Sequence, residues 1–375
     1  TQVAQYIVLI IAYMVPVVIL SAQTTGVPVP QLMYGDILQR ITELEQTKPA
    51  LAGVTPHIVP FSSFDPLNFF ALILCLMVGT ASLPHVLMRF FTTPSVRDAR
   101  KSVGWSMLFI FLLYFTAPSY AAFAKYEIYA NVIGANIAAL PDWVQIYSSI
   151  GLVTITDLNT DGILQIAELK INPDVIVIAT PEIAGLPYVI AGLVAAGGLA
   201  AALSTADGLL LAIANALSHD VYYRMIDPTA STAKRLMIAR VLLVAVALLA
   251  AVVASSRPGG ILALVAWAFS LAAAGLFPVL VLGVWWKRCT NQGAIAGMII
   301  GFGFTLFYLV GTKYFGMPLW FGVSNISAGL FGIPTGFLAT IIVSWMTPAP
   351  SKEMQDFIDS IRIPRGQTLM EEKAD

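Results

Sequence analysis

Two hydroxyls and a carboxylate fall within four residues, Ser204, Thr205 and Asp207, inside an otherwise apolar run. Ser204 and Asp207 are three residues apart, so in a helix they share a face. Hydroxyls and backbone carbonyls are hard oxygen donors and suit a hard cation. A carboxylate at membrane depth costs about 2.5–3.5 kcal/mol on insertion scales. Asp207 is therefore expected to face a bundle interior, an aqueous cavity or a cation. The plainer alternative for the two hydroxyls is that they donate back to carbonyls of their own helix.

A second oxygen-rich stretch lies at residues 157–168, Asp-Leu-Asn-Thr-Asp-Gly-Ile-Leu-Gln-Ile-Ala-Glu. It matches D-x-[DN]-x-[DN]-G-x5-E at every constrained position. In that pattern Asp157, Asn159 and Asp161 give side-chain oxygens and Ile163 gives its carbonyl. Gln165 holds the place often bridged by water, and Glu168 binds calcium through both oxygens. Asn172-Pro173 stops any exit helix early. A lone loop of this kind is expected to bind weakly, about 10⁻⁴–10⁻³ M, and to pin a long external segment. An Asx-rich turn without metal is the alternative.

A third group is Gly79-Thr80-Ala81-Ser82-Leu83-Pro84-His85. Pro84 removes a backbone donor and disfavours helix at the residue before it. Carbonyls freed at membrane depth must line a cavity or meet a partner. Interrupted helices of this sort mark solute sites in transporters. A simple proline kink is the alternative, and His85 reads as a polar residue near a helix end.

The elements that must hold these groups are membrane spans. The 375 residues are 58% hydrophobic and 11% charged, with mean hydropathy +0.82. About 25% charged is usual for soluble domains. This composition excludes a disordered chain, a basic nucleic-acid binder and a soluble enzyme. The net charge of -1 gives polyanion binding no support. Cys75 and Cys289 are too few for a disulfide framework and read as small buried apolar residues.

About 20 apolar residues span a bilayer as a helix. Eight runs qualify: Val3–Leu20, Leu67–Met88, Val103–Ala122, Leu186–Leu217, Leu236–Ala254, Ile261–Trp286, Ala294–Val310 and Ile326–Trp345. The shorter run Tyr129–Leu140 reads as a loop helix on the surface. Assigning alternate loops to two sides places 14 Lys and Arg on one side and 6 on the other. The richer side is cytoplasmic. Segments 21–66 and 123–185 are then external, and the tail 347–375 is cytoplasmic and expected to be partly disordered. Thr1 lies inside a hydrophobic element, which reads as a piece of a longer protein.

Several of these stretches resemble the sodium:solute symporter family. Leu83-Pro84-His85-Val86-Leu87-Met88-Arg89-Phe90-Phe91 resembles the P-H-x-x-x-R-F stretch of its acetate and proline permeases. Ala201, Ser204 and Thr205, followed by Ser218-His219-Asp220-Val221-Tyr222, resemble its sodium-site helix and that helix's cytoplasmic end. The stretches 79–85 and 203–211 look closest to the acetate and short-monocarboxylate branch. The acidic loop resembles a bacterial sub-branch that pairs with a small two-helix companion subunit.

The resemblance implies an all-α polytopic membrane protein of the LeuT-type inverted-repeat fold in a bacterial inner membrane. Residues 1–346 would form its core. Thr1-Gln2-Val3-Ala4-Gln5 looks like the start of core helix five, so the chain would hold the second repeat plus extra helices. Core helices one to four, with half of the main sodium site, would be absent. The carry-over assigns sodium to the Ala201 carbonyl and the Ser204 and Thr205 hydroxyls, and a solute pocket to Gly79, Thr80, Ser82 and Pro84. Branches with a second sodium carry Asp where this chain has Gln2. The departure counts against a second sodium here, with Asp207 a candidate replacement ligand or proton site. The activity implied is sodium-coupled symport of a small solute such as acetate or pyruvate. A membrane-embedded solute sensor is the rival. An enzyme lacks a residue cluster, since His57, His85 and His219 lie far apart, and a channel lacks a charged ring or filter repeat.

Overall fold

The structure, a computed structural model, describes residues 2–62 and 64–362. Among them, seven helices are long and apolar enough to cross a membrane. The bent pair Pro66–Thr80 and Pro84–Phe90 makes an eighth if it is one span. Contacts divide the chain into two compact units, Thr1–Ser62 with Gly104–Asp207 and Ser63–Val103 with Gly208–Asp375.

In the first unit, α1 (Gln2–Thr25) is apolar almost throughout and carries Pro16 inside. Gly26, at φ +79°, ends it in the left-handed conformation that a β-carbon disfavours. The Ser21 hydroxyl donates to the Val27 carbonyl at 2.7 Å and fixes the exit. Segment 21–66 then folds into an amphipathic helix, α2 (Tyr34–Thr47), which buries Ile37 and Ile41 one turn apart.

The core of this unit joins Val17 and Leu20 of α1 to Ile37 and Ile41, with Tyr120, Phe123, Val132, Ile133, Val144 and Leu164. The stretch 123–185, expected as a long loop, is largely structured. It contains α6 (Asp142–Ser149), α7 (Ile176–Ile183) and an antiparallel pair, β1 (Val153–Ile155) with β2 (Leu169–Ile171), in the register Val153↔Ile171.

One expectation is corrected here. Tyr129–Leu140 is not a separate surface helix. The span-forming helix α5 (Val96–Glu127) continues as a π-helical turn through Val132, and Tyr129, Val132 and Ile133 are buried. The charges of Lys125 and Glu127 mask this continuity in the sequence. A π turn displaces backbone carbonyls, and Lys48 Nζ donates to those of Tyr129 and Ala130 at 2.8 and 2.9 Å.

In the second unit, α3 (Pro66–Thr80) packs against α10 (Ile261–Gly275). The Asp65 carboxylate caps α3. Asn68 donates to the Gly322 carbonyl at 2.9 Å and accepts from Ser324 N–H at 2.7 Å, tying α3 to the 322–324 loop. α4 (Pro84–Leu87) follows the break. The run Ile261–Trp286 is itself interrupted at Leu276, before Pro278, giving α10 and α11 (Phe277–Trp285).

The tightest pair is α12 (Asn291–Tyr314) with α13 (Gly329–Met346). Gly293, Gly297 and Gly301 recur every four residues along α12. A β-carbon at Gly297 would run into Thr340 Oγ1, and one at Gly293 into Ser344 Oγ. Small residues let the two backbones meet. At one end of this pair, Trp267, Tyr308 and Leu309 form a cluster in which the Tyr308 hydroxyl accepts from Trp320 N–H at 3.1 Å. The helix α9 (Thr232–Ser255), capped by Ser231, has no buried residue.

Lys352–Ile361 forms an ordered helix, α14, capped by Ser351. Residues 363–375 lie outside the described residues.

Candidate functional site

Ser204, Thr205 and Asp207 all lie on α8 (Tyr188–Asn215), a helix rich in small side chains. A β-carbon at Gly197 would collide with that of Ala12 on α1, so the two backbones are close. Beside this contact, within the first unit, lies an apolar cavity of about 340 Å³. Leu9, Tyr13, Val194, Gly198 and Ala201 are among its walls. Ala201 is followed one turn later by Ser204 and Thr205 on the same helical face.

Ser204 is half-buried, while Thr205 and Asp207 are exposed. Their hydrogen bonding differs from that of four other helical threonines. Thr116, Thr180, Thr305 and Thr340 each donate to the carbonyl four residues before, at 2.6–2.8 Å. Ser204 and Thr205 make no such bond, and neither hydroxyl has a hydrogen-bond partner among the described residues. The back-bonded alternative is therefore not adopted, and both oxygens are open to a ligand. Asp207 forms no ion pair among the described residues.

The second candidate site is the helix break. α3 stops at Thr80, Leu83 is extended, and α4 starts at Pro84 after a bend of 47°. Its four proposed pocket residues divide into two pairs. Gly79 is buried with its α-carbon against the Phe269 backbone, where a β-carbon would stand 2.6 Å from the carbonyl oxygen. Ser82 is fully buried and donates toward the Gly79 and Val78 carbonyls at 2.9 and 3.2 Å. These two build the break. Thr80 and Pro84 are exposed. The Thr80 hydroxyl donates to the Leu76 carbonyl at 2.7 Å, leaving its lone pairs free.

The acidic loop closes on itself. Glu168 is 4% exposed, and its two oxygens accept the backbone N–H groups of Leu158 and Gln165 at 2.8 and 2.9 Å. Asp157 accepts from Gly162 N–H, and Asp161 accepts from Ile163 N–H and the Gln165 amide. Ile163 bridges to Asn136. Among the described residues no three acidic, His or Cys side chains are placed to share a metal. The carboxylates expected to hold calcium, with Asn159 and Ile163, are here engaged with amides of their own loop.

Near the same segment lies a cluster that sequence reasoning missed. Lys125 Nζ lies 3.4 Å from the Glu45 carboxylate and 3.1 Å from His57 Nδ1. The His57 backbone N–H donates to Glu45 as well, at 3.0 and 3.2 Å to its two oxygens. No spacing signal links positions 45, 57 and 125.

A set of apolar spans, one of them broken and another carrying unpartnered hydroxyls, is that of a multi-pass membrane protein. The family profile described as "Sodium:solute symporter family" matches residues 1–301, and the chain belongs to that family. It is 49% identical over 339 residues to an uncharacterized symporter of Cupriavidus necator, covering 86% of this chain and 49% of that protein. It is 30% identical over 243 residues to a monocarboxylic acid transporter of Corynebacterium glutamicum, covering 63% of this chain and 37% of that one. It is 26% identical over 335 residues to a sodium/proline symporter of Haemophilus influenzae, covering 88% and 57%. The chain thus spans about half the length of the curated relatives it matches. A solved Na+-coupled sialic acid symporter, substrate-bound and outward-open, shares the fold at TM-score 0.52 and 15% identity, over 94% of this chain and 74% of its own.

Proposed function

We propose that this chain is part of a sodium-coupled symporter that moves a small monocarboxylate, such as acetate or pyruvate, inward by alternating access. The observation that carries the reading is the pair of unpartnered hydroxyls at Ser204 and Thr205, one turn beyond Ala201. Two hydroxyls and one helix carbonyl are half of a sodium shell. The other half would come from another element of the complete protein. The likeness to a sodium/proline symporter supports sodium, and that to a monocarboxylic acid transporter supports the solute class. A calcium ion at 157–168 belongs to the proposal only as a structural pin of the external segment, since each Glu168 oxygen accepts one backbone amide and keeps a lone pair.

Sodium entering down the membrane potential releases about 2.3 kcal/mol per 100 mV for each charge. That energy lifts a solute only if sodium and solute favour the same protein state, since coupling is reciprocal. In this scheme sodium on α8 prepares the pocket at the break, where Thr80 and Pro84 face the solute. A carboxylate there is held by positive half-helix ends. The cytoplasmic tail and the two-helix companion subunit belong to the same proposal.

The test is uptake of labelled acetate and pyruvate into liposomes that hold the complete protein and any companion subunit. Accumulation should require an inward sodium gradient. Ser204→Ala with Thr205→Ala should raise the sodium concentration for half-maximal uptake by about tenfold or more, equal to about 1.4 kcal/mol, with solute preference unchanged. An altered solute preference at unchanged sodium dependence would refute the site. Sodium-dependent binding without uptake would replace symport with sensing.

A further inference from the structure

We propose that α14 lies in the lipid–water boundary of the cytoplasmic leaflet and inserts its Met354, Phe357 and Ile361 edge among lipid headgroups. The sidedness rests on the loop-charge reading above, whereas the insertion rests on the geometry of the second unit.

Both ends of α14 are tied to the ends of membrane spans. Its N-cap, Ser351, comes five residues after Met346, where α13 ends. Five residues reach at most about 17 Å even when extended, and Pro348 and Pro350 keep α13 from continuing. At the other end, Arg362 Nε donates to the Val284 carbonyl on the last turn of α11 at 2.8 Å. Its guanidinium stands 5.5 Å from the Trp285 ring centre. Lys287, just past α11, bonds Asp359 at 2.5 Å. A helix pinned at both ends to span termini must run along the membrane surface.

The side chains divide accordingly. Ile358 is 7% exposed and seats α14 on the protein. Met354, Phe357 and Ile361 recur at helical spacing on the adjoining flank and are 51%, 58% and 48% exposed. Glu353 and Asp356 belong to the polar remainder. The exposed Trp285, Trp345 and Met346 belong to the same span ends, and tryptophan concentrates where headgroups meet hydrocarbon. The same three side chains line an open groove with Gly283 and Cys289 at the end of α11, and the place of that groove at the span ends, beside exposed tryptophans, makes lipid its occupant.

The charge on α14 sets how it binds. Lys352 and Arg362 oppose Glu353, Asp356 and Asp359, for a net charge of -1. Attraction to anionic lipid is absent, so insertion is apolar and insensitive to salt.

The experiment places a spin label at Phe357→Cys, Met354→Cys or Asp356→Cys in the complete protein in liposomes. A Cys289→Ala background is used, with Cys75 buried. Collisions with oxygen, which partitions into lipid, are compared with those of a water-soluble nickel chelate. The oxygen-to-chelate ratio should be severalfold higher at 354 and 357 than at 356. The difference should persist from about 0.1 to about 1 M NaCl, over which the screening length falls from about 10 to about 3 Å. It should be equal in zwitterionic and anionic liposomes. Equal ratios at all three sites would place the flank in water and overturn the proposal. Shielding of 354 and 357 from both reagents would show a protein partner instead. Loss of the difference at high salt would overturn apolar insertion.

Discussion

Glu168 illustrates how one buried carboxylate can decide a local fold. Its two backbone amide partners close the 157–168 loop from inside. Glu168→Ala should destabilise this segment by about 2 kcal/mol, the scale for losing hydrogen bonds to a charged acceptor. Calcium acting as a pin at millimolar concentration should raise the melting temperature of the wild type, and a chelator should reverse the rise. His57 makes a second residue-scale prediction. Burial, then the Lys125 charge, lowers its pKa against the opposing pull of Glu45. The unfolded chain therefore takes up the proton first as pH falls below about 6.5. The stability given by the neutral ring is full above that pH and is lost as pH falls through the lowered folded value. Melting temperature should drop as pH falls below about 6.5, and His57→Gln should flatten the drop. At this scale the sequence was legible where residue type alone carries meaning. Ser204 and Thr205 stood out as hydroxyls in an apolar run. The partners of Glu168 and Lys125 did not, because they are backbone groups or side chains up to 80 positions away.

At the scale of elements, long apolar runs announced the spans, and Pro84 announced the break. What stayed hidden was continuity and shortness. Helix α5 runs past Lys125 and Glu127 because Glu45 compensates the lysine, so a local hydropathy reading cut it too early. The strands β1 and β2 are three residues each, too brief for an alternating pattern to register. The α12–α13 seam gives the element-scale prediction. Gly297→Ala pushes a methyl into Thr340 and should cost about 1–3 kcal/mol, as overpacking does. Thr340→Ala should recover part of that loss in the double mutant, measured by thermal unfolding in detergent. Full additivity would place the strain elsewhere. Ser82→Ala should likewise destabilise by about 1 kcal/mol while leaving sodium dependence intact, because its hydroxyl serves the break rather than a ligand.

For the molecule as a whole, composition made the membrane class legible, and the apolar runs located the seven spans and the bent pair beside them. The division into two units was not legible, since each unit draws on two separate stretches of chain. Asp207, the last residue of the first unit, bears on coupling at this scale. Asp207→Asn should change the sodium stoichiometry or the pH dependence of uptake in reconstituted protein, and unchanged coupling would remove it from the ion path. The α12–α13 seam has a further meaning for such a machine. Two helices with no room for a methyl between them cannot slide past each other by a turn without first separating. They form a single strut, and any rocking must be taken up at other surfaces. An exhaustive substitution map would record this as a stripe of intolerance at Gly293, Gly297, Gly301 and Gly332. Along α9, with nothing buried, one apolar residue should substitute freely for another.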